Sequence, residues 1–107
     1  MRKKTSALIC LWLCSFFSGA GHTAETADEW FQKGYDHGAS GQYEETIAAY
    51  SKAIDVDATL AAAYNNRGTA YRRTGSNSRA NEDFRKAAQL GHRAARTYLR
   101  SKGIGWE

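Results

Sequence analysis

The chain contains no proline, and its two cysteines, Cys10 and Cys14, both fall near its start. Without proline, glycine is the remaining strong helix breaker, and the ten glycines sit mostly between periodic segments. That pattern suits helices joined by short turns and not a β-sandwich with many turns. Histidine is sparse. His22, His37 and His92 stand apart, and none pairs with another histidine or a cysteine at metal-ligand spacing. There is no glycine-rich phosphate loop and no serine–histidine–aspartate arrangement. These absences set the expectation that the protein is not an enzyme and has no cofactor or metal.

The first 24 residues read as something other than fold. Arg2, Lys3 and Lys4 form a basic head, Ala7 to Phe17 an apolar run of 11 residues, and Ser18, Gly19, Ala20 and Gly21 a small-residue tail. This is the layout of a secretory signal peptide. Ser18 and Ala20 suit the two positions a signal peptidase probes, so cleavage is expected after Ala20. Ala24 is the second candidate, since His22 would then occupy a place that prefers small residues. An uncleaved anchor is the alternative, but the run is short of the roughly 20 residues needed to span a bilayer. Neither cysteine follows small residues at the end of the run, so lipid attachment is not expected. Cleavage leaves a chain without thiols or disulfides in an exported compartment, periplasmic in a two-membrane bacterium and otherwise secreted.

Acidic charge is scarce in the second half. Residues 61–107 carry three acids and ten bases, whereas residues 21–60 carry eight acids and two bases. The two halves are therefore near +7 and −6. Such polarity can steer partners or drive copies of the chain together.

The positive signal is a self-match at a spacing of 34 residues, which puts Gly34 on Gly68, Gly41 on Gly75, Ala53 on Ala87, Trp30 on Tyr64 and Tyr50 on Phe84. A period of this size marks stacked repeats. Thr26 and Glu29 form a capping-box pair ahead of Trp30, Phe31, Gly34, Tyr35 and Gly38. Tyr43, Ile47, Tyr50, Ala53 and Ile54 form the inward stripe of a second helix, and Ala80, Phe84, Ala87 and Ala88 that of a fourth. Helices are predicted near 27–40, 43–56, 61–74, 77–90 and 93–102, with Ser76 or Asn77 capping the fourth. Gly34 and Gly68 imply close helix contact, each against a small partner: Thr46, somewhat large, in the first unit and Ala80 in the second. Glu82 and Asp83 precede Arg85 and Lys86 on an expected solvent face.

In these positions the chain resembles the tetratricopeptide repeat family. The first unit, 27–60, supplies Trp30, Gly34, Gly41, Tyr43, Tyr50 and Ala53. The second, 61–94, supplies Tyr64, Gly68, Tyr71, Gly75, Ala80, Phe84 and Ala87. Lys33 and Arg67 replace the family's leucine before the glycine. Ala58 and His92 stand where proline usually ends a helix, which suggests softer turns between repeats. The resemblance implies an all-α, right-handed α-solenoid of two helix–turn–helix units. Residues 21–26 would be an N-terminal tail and residues 95–107 a C-terminal capping helix and tail. The cap must cover the second unit through Tyr98 and Leu99, because two repeats fall short of the usual minimum for stability.

The resemblance further implies a concave groove that binds a peptide or helix of a protein partner. Phe31 and Tyr35 would line it from the first unit, Asn65, Thr69, Arg72 and Arg73 from the second, and Arg96 and Arg100 from the cap. Asn66, Arg96 and Arg100 also match a carboxylate clamp known in some members. Phe31 and Tyr35 replace its lysine and asparagine, so the clamp is incomplete and the chaperone-tail specificity does not carry over. Arginine forks favour an acidic partner. Export argues against nucleic acid despite the basic second half. The competing expectation is a structural module that self-assembles through its charge polarity or docks on an anionic surface. Mass spectrometry of the exported protein should find an N-terminus at Gly21 or Glu25; an intact Met1 terminus would refute cleavage.

Overall fold

The computed structural model describes residues 24–107. The expected signal segment, its Ala20 cleavage site and both cysteines lie outside the described residues. Five helices follow in order: α1 Ala27–Ala39, α2 Tyr43–Val56, α3 Ala61–Arg73, α4 Asn77–Gln89 and α5 Arg93–Ser101. Each ends within one residue of the predicted boundary, and the described residues hold no strand. Every helix packs on the next in sequence, and α1 also reaches α3. The architecture is an all-α solenoid of two helical pairs with α5 laid over the second.

Local chemistry sets the boundaries. The Thr26 hydroxyl accepts from the Glu29 N–H at 3.1 Å, and the Glu29 carboxylate accepts from the Thr26 N–H at 3.1 Å. Both are orphan donors that a helix start would otherwise leave unpaired. The bond from the Thr26 backbone holds the Glu29 carboxyl below its ordinary value. The ionised box therefore supports folding at neutral pH, and that support fades as pH falls through the lowered value. Gly41 and Gly75 take the left-handed conformation at φ 76° and 86°. They let the next N–H turn back, Gln42 onto the His37 carbonyl and Ser76 onto that of Tyr71, each at 2.9 Å. Ser76 stands at the N-cap of α4, but neither it nor Asn77 supplies the expected side-chain cap. The N-cap of α5 is His92, whose Nδ1 accepts from the Ala95 N–H at 3.3 Å.

The turn between the repeats is pinned despite its missing proline. The Asp57 carboxylate accepts from the Thr59 N–H at 2.9 Å and the Thr59 hydroxyl at 2.6 Å. The Tyr64 hydroxyl donates to the Ala58 carbonyl at 3.1 Å. Three bonds thus hold this turn where the family usually has proline.

The repeat-phase glycines also differ from expectation in one respect. A Cβ on Gly34 would lie 2.8 Å from the Tyr50 ring, so its partner is a large aromatic and not Thr46. Thr46 instead faces Gly38, 3.6 Å from a Cβ built there. Gly68 lies under Phe84 and the Ala80 carbonyl, 3.0 and 3.2 Å from such an atom. Glycine costs a helix interior about 1 kcal/mol against alanine. Here that loss admits a ring against the backbone of the facing helix.

Alanine dominates the core. Ala53, Ala63, Ala87, Ala88 and Ala95 are fully buried, and among the described residues Leu99 is the one large side chain so enclosed. Tyr64, Phe84, Ala87, Ala88, Ala95 and Leu99 form one cluster spanning α3, α4 and α5, with Tyr98, Ile104 and Trp106 packed against it. Phe84 and Tyr98 meet with ring centroids 4.5 Å apart. The chain after α5 then lies along α4. Arg85 Nε donates to the Gly105 carbonyl at 3.1 Å, and Gln89 Nε2 to that of Trp106 at 2.9 Å. Leu99→Ala should cost about 2–5 kcal/mol, and removal of 93–107 should abolish cooperative unfolding. Urea melts followed by circular dichroism check both; an unchanged melt would show that α5 is dispensable.

Candidate functional site

A cavity of about 290 Å³ opens at the seam where α1, α2 and α3 meet. α1 contributes Tyr35, Gly38 and Ala39; α2 Tyr43, Thr46 and Tyr50; α3 Asn66, Thr69, Ala70 and Arg73. The volume lies near the lower end of the range for ligand pockets, on the scale of one or two side chains. Small residues at Gly38, Ala39 and Ala70 make the hollow, and three tyrosines give it an amphipathic wall. Tyr35 is 59% exposed, so its ring is open to a partner.

One polar pair is built into the wall. Asn66 Nδ2 donates to the Tyr50 hydroxyl at 3.1 Å. Burial pushes the Tyr50 phenol above its ordinary value, against the opposing effect of the Asn66 bond. Tyr50 therefore stays neutral across the physiological range and keeps its own proton to donate. Thr69 turns its hydroxyl to the Asn65 carbonyl at 3.1 Å. Among the described residues no carboxylate lines the cavity, and the charged group there is Arg73.

The structure divides the sequence-derived candidates. Tyr35, Asn66, Thr69 and Arg73 surround this cavity. Phe31 lies outside its lining and meets Tyr50 edge-on at 5.3 Å. Asn65 also lies outside the lining, and its backbone carbonyl accepts from the Thr69 hydroxyl. Arg72 lies over the Tyr98 ring at 5.4 Å, and Arg96 and Arg100 lie over Trp106 at 5.9 and 5.7 Å. Arg73 has no such ring and no carboxylate among the described residues. Tyr43 and Tyr50 were legible as inward residues. That their rings would also bound a hollow follows from Gly38 and Ala39 opposite, a signal present in the sequence.

A second arrangement fixes the seam. Arg67 Nε and Nη2 each donate to an Asp83 carboxylate oxygen at 2.8 Å, and Nη1 donates to the Ser51 hydroxyl at 3.0 Å. The guanidinium also lies 5.7 Å from the Tyr64 ring and 5.8 Å from that of Tyr71. The Asp83 bonds raise the Arg67 pKa further above its ordinary value, so the cation is permanent. Asp83 is 5% exposed, which corrects its expected place on a solvent face. Its spacing beside Glu82 concealed this, because only the partner at Arg67 makes burial of the carboxylate tolerable.

Two stacked pairs of antiparallel helices, matched in phase and hollowed at the seam, define a helical-repeat scaffold. Residues 34–75 match the family model described as TPR repeat, and residues 61–90 that described as tetratricopeptide repeat. The chain belongs to the tetratricopeptide repeat family. It is also 36% identical over 66 residues to the tetratricopeptide repeat protein 36 homolog of Nematostella vectensis. That match takes in 62% of this chain and 36% of the relative, so the chain spans about a third of the length of the curated protein it matches. Repeats of this family generally mediate protein–protein interaction, and the family is typically non-catalytic.

Removing one partner of the Arg67–Asp83 pair leaves a buried charge. Asp83→Ala should lower stability by about 3 kcal/mol, and replacing both residues with leucine by clearly less. Equal losses in chemical denaturation would refute the pair as the reason for Asp83 burial.

Proposed function

We propose that the protein is an exported, non-catalytic scaffold that holds a segment of a protein partner in the cavity between α1, α2 and α3. The observation that carries this reading is Arg73, a cation on the lip of an aromatic hollow with no carboxylate or ring to occupy it among the described residues. The other candidate arginines of α3 and α5 rest on rings of their own chain. A partner segment with an apolar side chain followed by a carboxylate fits this pairing. The side chain enters among Tyr35, Tyr43 and Tyr50, and the carboxylate meets the Arg73 fork through two parallel hydrogen bonds. The Asn66–Tyr50 pair, held before binding, presents polar groups at low ordering cost. Export rests on the basic, apolar and small-residue order of residues 2–21.

Two substitutions test the site by different routes. Thr69→Trp fills the hollow, and Arg73→Glu reverses the charge at its lip. Affinity capture from the exported compartment, compared by mass spectrometry, should show one partner lost from both variants while their helicity is unchanged. A partner retained equally by both would refute the cavity as the binding site.

A further inference from the structure

The end of the stack formed by α5 and the chain after it presents a second surface, separate from the cavity. Arg93, Arg96 and Arg100 recur at three- and four-residue steps along one side of α5, all exposed, and the helix carries no acid. Two of these arginines are organised before any partner arrives. Their guanidinium groups lie 5.9 and 5.7 Å from the centre of the Trp106 ring. Trp106 is itself anchored, because Arg85 and Gln89 donate to the carbonyls of Gly105 and Trp106. Arg96 spends only Nε inside the molecule, on the Ala88 carbonyl at 2.9 Å. A guanidinium stacked on a ring keeps its edge donors free, and its ordering cost has already been met.

The opposite end of the same stack has the opposite sign. Asp28, Glu29, Glu44, Glu45 and Asp55 are exposed on α1 and α2. Of the two bases in that half, Lys33 is already paired with Glu25. The two ends cannot neutralise each other within one molecule. Successive helices pack roughly 8–10 Å apart, so several layers separate the ends, whereas physiological salt screens charge within about 8 Å.

We propose that the arginine face of α5, held by Trp106, docks on the acidic α1–α2 end of a second copy of this chain. The contact is head-to-tail, so it does not close on itself, and copies add in series. None of the acids and arginines it uses lines the cavity.

Sedimentation velocity of the purified protein tests this across about 0.01 M to about 1 M sodium chloride, where the screening length falls from about 30 Å to about 3 Å. At low salt the average mass should rise with protein concentration past the dimer, and at high salt it should return to the monomer. Arg96→Glu with Arg100→Glu should stay monomeric at low salt with helicity intact. So should Glu44→Lys with Glu45→Lys. Mixing the two charge-reversed variants should restore association, which neither a misfolded variant nor hydrophobic aggregation would do. A monomer at low salt, assembly that survives charge reversal, or mixed variants that stay apart would each overturn the proposal. So would a monomer that instead co-sediments with phosphatidylglycerol vesicles, because the face would then serve an anionic lipid.

Discussion

The guanidinium of Arg67 joins three of the five helices of the described residues. From α3 it grips Asp83 on α4 with two parallel bonds and reaches Ser51 on α2 with a third. Removing such groups from water costs several kcal/mol per ion. The geometry offsets that cost, because the planar fork meets both carboxylate oxygens and the Tyr64 and Tyr71 rings flank the cation. A leucine at this place, as the family usually has, would need only apolar neighbours. The arginine demands a carboxylate opposite, and it sets the azimuth of α3 against both neighbouring helices. Hydrophobic contact alone would leave that azimuth softer, since packing surfaces rich in alanine offer few interlocking side chains.

The cavity inherits this constraint. Its α3 wall carries Asn66, Thr69, Ala70 and Arg73, all within two turns of Arg67. A rotation of α3 that broke the Asp83 bonds would also separate Asn66 from Tyr50 and swing Arg73 away from the lip. Shape and charge at the seam are thus set by a pair that does not line it. The same logic distinguishes the arginines from one another. Arg72, Arg96 and Arg100 lie over aromatic rings, whereas Arg73 has neither a ring nor a carboxylate partner among the described residues.

Most of the fold was legible in the sequence because repeats state each requirement twice. Glycines at one phase marked close helix contact and turn positions in both units. What could not be read were contacts made across elements by residues of ordinary type. Asp83 beside Glu82 looks like part of a charged surface until Arg67 is placed opposite it. Gly34 announced a close approach without naming the Tyr50 ring as what approaches. Arg96 and Arg100 fall at groove positions by repeat numbering, yet Trp106 draws both toward the chain after α5, beyond the reach of any repeat pattern. Of the sequence-derived site, the part that converges is the part borne by α1 and α3, whose register the repeat fixes directly.

The alanine-filled core carries a consequence for how this sequence can drift. Ala53, Ala63, Ala87, Ala88 and Ala95 have no exposed surface, and an interior at native density tolerates added methylenes poorly. In a core of large side chains, neighbours can trade volume and keep the total constant. Here most buried apolar positions already hold the smallest side chain that still favours a helix, so compensation has little to work with. Inheritable change is therefore channelled outward, to the tyrosines, arginines and carboxylates of the surface. A lineage of this protein would be expected to keep its shape almost rigidly while altering what that shape recognises.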